Sequence, residues 1–394
     1  MHLTILHYHL RPGGVTTVIR NAQRALEDRF DIQLLTGFGY NERPARSRLA
    51  FLRESSAFAR RLSAVTGRTE VLHTHNLNLG KHPRLACAVK MLAEQGRIRF
   101  INQVHDFAED NRPAQWRALR YCTGSRNDSF WRSFCYYDLP NVLWTTLTSH
   151  DAVKLAQRGV PQGRIHVLPN PVDDRLFTRP VLSRQKKEEA LLRIGQFARA
   201  HSYSFDPRRK ILLSPMKVMR RKNNAEALEL VTRLNALGGR DEFQLIISLD
   251  ASSLGDRAYS DQLKRKIRRE RLPVVIGVGA IVDALSQFQL AQAILTTSKV
   301  EGFGYAFMEG WLCGKLVLGR DIPEVTFDFV AEGMDLDHFY HELDDRALCQ
   351  IDRLLARPPR RLIELNREVV LRKYSMKAYA RRFEGMLKQF GPPN

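Results

Sequence analysis

Ser298-Lys299-Val300-Glu301-Gly302-Phe303-Gly304-Tyr305-Ala306-Phe307-Met308-Glu309-Gly310-Trp311-Leu312-Cys313-Gly314-Lys315-Leu316-Val317-Leu318 decides the reading of this chain. The apolar run Ala293–Thr296 before it reads as a strand, the glycine-containing stretch as a turn, the next residues as a helix, and Leu316–Leu318 as a second strand. In an open parallel sheet, ligands bind where strands end and helices begin, because helix N-terminal N–H groups and the helix dipole favour phosphate there. Glycines at such a turn let backbone approach a ligand. Glu301 falls in the loop and Glu309 inside the helix, each placed to accept from hydroxyl groups.

Working outward, β-branched apolar runs alternate with longer amphipathic ones along the whole chain, the pattern of parallel strands linked by helices. Strands are expected at Leu3–His7, Asp31–Leu35, Glu70–His73, Phe100–Val104, Val142–Thr148 and Ile165–Leu168. Helices are expected at Val15–Leu26, Arg53–Val65, Arg84–Glu94 and His150–Gln157. A polar, basic stretch from Ser183 to Lys210 interrupts the alternation, and a second set of strands follows at Ile211–Ser214, Phe243–Leu249, Val274–Val278, Ala293–Thr296 and Leu316–Leu318. Asn170–Leu182 reads as the end of the first domain and a hinge. Ser375 through Phe390 reads as a helix with Tyr379, Phe383, Met386 and Leu387 on one face. The 394 residues suit two domains, each with its own core, expected at 1–172 and 173–374, with 375–394 as a C-terminal helix.

Composition narrows the class. Hydrophobic residues at 44% and charged residues at 26% are ordinary for a globular chain. No run approaches the roughly 18 apolar residues of a spanning helix, and Met1–His7 lacks the marks of a signal peptide. The expectation is a cytoplasmic protein, with a peripheral place on the inner face of the membrane in view of its charge. Five cysteines, odd in number and never in a C-x-x-C pair, argue against a disulfide framework or structural zinc. The formal charge of +20 favours phosphorylated substrates, anionic headgroups or polyanions as partners.

Three further places carry chemistry. Ile211–Asn223 delivers Lys217, Arg220, Arg221 and Lys222 to the end of a strand, where cations can neutralise a diphosphate; a basic surface loop is the plainer reading. Leu10-Arg11-Pro12-Gly13-Gly14-Val15 sits between the first strand and its helix, where Gly13 and Gly14 permit backbone contact with a ligand. It is not the G-x-G-x-x-G dinucleotide fingerprint, which argues against a dehydrogenase. Gln103-Val104-His105-Asp106-Phe107 ends another strand with a histidine that is either a ligand contact or a satisfied polar residue.

The Ser298–Gly314 stretch resembles the E-x7-E signature of retaining GT-B glycosyltransferases, especially the family-4 type, whose pattern runs S-x-x-E-G-F-G and then E-x-x-x-x-G. The resemblance implies an α/β GT-B fold: two Rossmann-like domains facing across a cleft, with the C-terminal helix returning to the N-domain. It implies that Glu301 contacts donor-sugar hydroxyls, that Glu309 binds the ribose, and that Ser298, Gly302, Phe303 and Gly304 belong to the donor loop. That family usually has Arg, four residues, then Lys where this chain has Lys217 and Lys222, with Arg221 or Arg220 placed to compensate for the missing arginine. The Gly13–Gly14 loop is similar to one that closes over the donor, and His105 to the family's His-Asp segment facing the donor sugar. Val167–Asp173 resembles its P-N-G-V-D entrance to the hinge, with Pro171 in place of Gly. The implied co-substrate is a nucleoside-diphosphate sugar, with no metal or other cofactor, and the acceptor a hydroxyl on a carbohydrate, a small glycoside or a lipid-linked sugar.

Competing readings are a GT-B sugar-nucleotide epimerase or hydrolase, and a basic protein binding nucleic acid or membrane on a non-catalytic GT-B fold. No nucleic-acid module is present, and a specific nucleic-acid partner is not expected. His73 and His75 lack an evident third ligand, which favours polar packing over zinc. The oddest segment is Glu109–Tyr137, where Arg112, Arg117, Arg120, Arg126 and Arg132 mix with Trp116, Tyr121, Phe130, Trp131, Phe134, Tyr136 and Tyr137. Such a mixture suits a membrane interface, a charged acceptor, or an ordinary insertion.

Overall fold

The computed structural model describes residues 1–390 apart from Pro12, Asn111, Arg112, Arg126, Gly238 and Arg240. Pro12 of the Gly-Gly loop, and Arg112 and Arg126 of the basic segment, lie outside the described residues. The chain forms two compact units, Met1–Pro171 with Met376–Asn394, and Val172–Ser375.

The first unit holds a six-stranded parallel sheet of β1 (His2–Leu6), β2 (Asp31–Leu35), β3 (Val71–His75), β4 (Arg99–Val104), β5 (Val142–Thr146) and β6 (Ile165–Val167), in the order β2-β1-β3-β4-β5-β6. β3 and β5 are buried along their whole length, as strands covered by helices on both faces must be. The register pairs His75 of β3 with Gln103 of β4, and Leu6 of β1 with Thr74 of β3. The carboxyl ends of three neighbouring strands therefore lie side by side, and the residues after them share one edge.

The C-terminal helix Met376–Leu387 belongs to this unit. Tyr379, Phe383, Met386 and Leu387 are buried with Leu3, Ile5, Ile19 and Val71 in one cluster. Phe383 is fully enclosed, with its ring edge-on to Phe30 at 5.8 Å and tilted to His73 at 5.4 Å. Phe383→Ala is expected to lower unfolding free energy in urea by about 3–5 kcal/mol, since an enclosed ring leaves a cavity its neighbours fill only partly. A loss under 1 kcal/mol would mean that the helix contributes little to this core.

The basic-aromatic segment forms two short helices, Pro113–Cys122 and Asp128–Cys135. Phe130, Trp131, Phe134, Tyr136 and Tyr137 are buried in the unit's core, with Trp116 packed against it, whereas Tyr121 is 65% exposed. Most of these aromatics thus serve packing and present no ring to a membrane.

The second unit has a five-stranded sheet of β7 (Lys210–Lys217), β8 (Phe243–Leu249), β9 (Val274–Ile276), β10 (Ala293–Thr296) and β11 (Leu316–Gly319), all parallel, in the order β11-β10-β7-β8-β9. β7 runs past the expected end at Ser214. Pro215 removes one ladder donor and shifts the register between Ser214 and Lys217, yet the strand continues until Lys217 pairs with Leu249. The polar stretch after Ser183 is not irregular: Arg184–Ala200 is a helix, capped by the Ser183 hydroxyl, with Ala190, Ile194 and Ala198 buried at four-residue spacing. Its narrow apolar stripe is masked in sequence by surrounding lysines, arginines and glutamates, which are themselves good helix formers.

Candidate active site

In the second unit the loops after β7 and β10 are stitched together. Lys299 N–H donates to the Arg221 carbonyl at 2.9 Å, and Thr297 Oγ1 donates to the carbonyls of Lys222 and Asn223, both at 3.1 Å. Asn223 turns the chain with φ 50°, a left-handed conformation asparagine tolerates, and the helix Asn224–Leu237 starts there. These bonds bring Lys222 onto Glu301, whose carboxylate accepts from the ammonium. Their side chains are only 11% and 9% exposed. Burial pulls the Lys222 ammonium below its ordinary range and the Glu301 charge pushes it back up. Arg221 stands outside this pair, exposed, donating to the Val300 carbonyl at 3.1 Å with its guanidinium 3.9 Å from Glu301. Lys217 donates to Ser252 Oγ at 2.8 Å.

The glutamate eight residues after Glu301 sits in the helix Tyr305–Leu312. Burial, and then the charge of Asp173, push its carboxyl up to about 8, and among the described residues no group donates a hydrogen bond to it. Gly304 caps this helix at φ 89°, and a Cβ there would meet Phe307 Cδ2 at 2.6 Å, so only glycine makes this turn. Gly302 lies half-buried in the same loop. Ser298 is fully buried with its hydroxyl 3.3 Å from Met216 Sδ, and Phe303 packs on Tyr305, Phe329 and Tyr374. Those two side chains hold the loop in place, and only their backbone is left for a ligand.

In the first unit, Gly13 and Gly14 begin the helix Gly14–Leu26. Neither has a left-handed backbone: φ is 167° at Gly13, and a Cβ on Gly14 would meet nothing within 4 Å. The unit itself does not require glycine there. Thr16 Oγ1 anchors the loop by donating to the Arg11 carbonyl at 2.6 Å. His105, just beyond β4, is 6% exposed and stands with its Nε2 2.9 Å from His75 Nδ1. Burial holds His105 down to about 3, so the ring is neutral. His73 donates through Nε2 to Gln103 Oε1 at 2.9 Å.

Residues 12–176 match the model of Glycosyltransferase Family 4. Across more of the chain, 381 residues are 26% identical to mannosylglucosyl-3-phosphoglycerate synthase from Petrotoga mobilis, covering 89% of this chain and 71% of that protein. The fold is GT-B. HepE from Anabaena, solved with UDP and glucose, superposes with a TM-score of 0.67 at 14% identity over 99% of this chain and 100% of that one. Sucrose-phosphate synthase from Thermosynechococcus elongatus gives a TM-score of 0.66 at 16% identity, covering 98% of each chain.

The family-4 match covers the Gly13–Gly14 loop and His105 but stops short of Glu301 and Glu309. It also contains functional-looking residues that sequence reasoning passed over. Asn76, left-handed at φ 57°, ties the end of β3 to the His105–Asp106 turn. His7 donates through Nδ1 to the His75 carbonyl at 2.9 Å. The available signal was a histidine or asparagine just after each of β1, β3 and β4, which becomes a cluster only once the strand order is known. Among the described residues, no helix is long and apolar enough to cross a membrane.

Proposed function

We propose that this protein is a retaining glycosyltransferase of the family-4 type that moves a hexose from a nucleoside-diphosphate sugar to a hydroxyl acceptor. The observation that carries the reading is Glu309, a carboxyl in the turn-and-helix after β10 whose oxygens receive no hydrogen bond from any described residue. Half-buried and without a donor from the described residues, this carboxyl is open to hydroxyl donors of a ligand, and vicinal ribose hydroxyls supply two. In this reading Glu301 accepts from the sugar hydroxyls. Gly302 and Gly304 let the helix amides approach the diphosphate. Lys217, Lys222 and Arg221 neutralise the leaving group without a metal ion. The open space at Gly13 and Gly14 suits backbone contact with the ligand, and His105 faces the sugar.

The acceptor we favour is a small anionic glycoside. The charge of +20 attracts such a molecule, and the Petrotoga relative carries a phosphoglycerate in its name. The first unit also has a groove of about 970 Å³ lined by Glu42, Ala45, Arg117, Arg120, Tyr121 and Ser125. Lipid-linked or polymeric acceptors would use the same hydroxyl chemistry.

The stereochemical claim is tested by proton NMR of the product during turnover. Donors of this class commonly carry an α-linked sugar, so retention gives an α-linked product with a small H1–H2 coupling for a gluco-configured sugar. A β-product from an α-donor would overturn it. Consumption of donor without acceptor, at the full rate, would favour the epimerase or hydrolase reading.

A further inference from the structure

Neighbouring strands deliver histidines to one edge of the first sheet. His7 follows β1, His75 ends β3 and His105 follows β4, and all three are buried. Burial is the main cause that holds His7 down to about 4, His105 down to about 3 and His75 well below its ordinary value. Near neutrality these imidazoles are uncharged, so the 2.9 Å contact between His75 Nδ1 and His105 Nε2 holds one proton between two neutral rings. The other nitrogen of His75, Nε2, is buried and has no hydrogen-bond partner among the described residues. An orphaned N–H is rarer inside proteins than an under-used acceptor. The shared proton therefore sits on His75 Nδ1, His105 Nε2 accepts it, and His105 carries its own proton on Nδ1.

Asn76 fixes the backbone of the same turn. Its Oδ1 accepts the N–H of His105 at 2.9 Å and of Asp106 at 3.1 Å, and its own N–H donates to the Gln103 carbonyl at 2.8 Å. Its Nδ2 reaches Asp106 Oδ2 at 3.4 Å. The residue is 2% exposed and sits at φ 57°, ψ 31°, a left-handed conformation that asparagine tolerates and that these bonds hold in place.

We propose that Asn76 and His75 are positioning residues for His105: Asn76 sets the backbone from which the imidazole projects, and His75 fixes its tautomer with the proton on Nδ1. The inference rests on the reading of His105 as a group facing the donor sugar.

The test compares wild type with Asn76→Gly, Asn76→Asp, His75→Leu, His75→Asn and His105→Ala. Asn76→Gly keeps the left-handed backbone and loses the carboxamide; kcat should fall about 10- to 100-fold with donor KM within about threefold. Asn76→Asp keeps an acceptor at Oδ1 but sets a second carboxylate against Asp106 in place of the Nδ2 donor, so it should recover only part of that loss. In long-range proton–nitrogen NMR spectra, His105 should be the Nδ1–H tautomer in wild type and in His75→Asn, which retains a donor at the same place. In His75→Leu it should become a mixture or the Nε2–H form. An unchanged kcat in Asn76→Gly, or an unchanged His105 tautomer in His75→Leu, would overturn the proposal. Wild-type turnover in His105→Ala would instead defeat the donor-sugar reading of His105, and the NMR measurement would still decide the positioning. If Asn76→Gly does not fold, Asn76→Asp and the His75 pair carry the test.

Discussion

Lys222→Met should lower kcat by about 10²- to 10³-fold, the usual cost of removing one preorganised group that stabilises developing charge. Lys222 is the most enclosed of the cations after β7, and Glu301 opposes the burial that would otherwise favour its neutral form. The same substitution should destabilise the fold by about 3–5 kcal/mol, because the Glu301 carboxylate is left buried without its counter-charge. Loss of turnover could then be mistaken for loss of structure. Lys222→Met combined with Glu301→Gln separates the two: removing both charges should restore most of the unfolding free energy measured in urea, while turnover stays low. Turnover within about threefold of wild type in Lys222→Met would remove the lysine from the mechanism.

Glu309→Gln should change how stability depends on pH. The Glu309 carboxyl is raised from 4.5 to about 8 in the folded chain. Between these values the unfolded chain has released the proton and the folded chain still holds it, so the glutamate makes folding progressively less favourable as pH rises. Glutamine does not titrate. The stability of Glu309→Gln relative to wild type should therefore increase from about pH 5 to pH 8, by about 2–4 kcal/mol, and then level off. Any fixed cost of burying the amide cancels in this comparison. A difference independent of pH would mean that Glu309 ionises normally in the folded chain. A ligand whose hydroxyls donate to this carboxylate favours its charged form, so nucleotide affinity should also rise with pH across the same window and become flat in Glu309→Gln.

Most of the sheet was legible in the sequence because strands covered on both faces read as apolar runs. Phe243–Leu249 and Ala293–Thr296 fall where their composition places them. The Glu301 loop was legible because a turn with glycine at a positive-φ helix cap leaves a mark in the order of residues. What was lost depended on contacts between distant residues. Lys222 and Glu301 are 79 positions apart, and nothing local shows that the lysine is paired with a carboxylate. Ser298 looked like a ligand group because it belongs to the motif, whereas Met216 occupies its hydroxyl. Phe130 and Trp131 looked like interface aromatics because burial against Phe51 and Tyr136 is invisible before the chain folds. Asn76 showed only as a polar residue just after a strand, since its left-handed conformation is set by the turn around it.

The central claim is that the second unit holds a nucleoside-diphosphate sugar through Glu309. It is tested most directly by thermal unfolding of wild type and Glu309→Ala with UDP, GDP, ADP and their common sugar derivatives at millimolar concentration. One base should raise the wild-type melting temperature by several degrees, and Glu309→Ala should lose most of that rise while remaining folded. No shift of the folded wild type with any nucleotide, or an equal shift in both proteins, would contradict it.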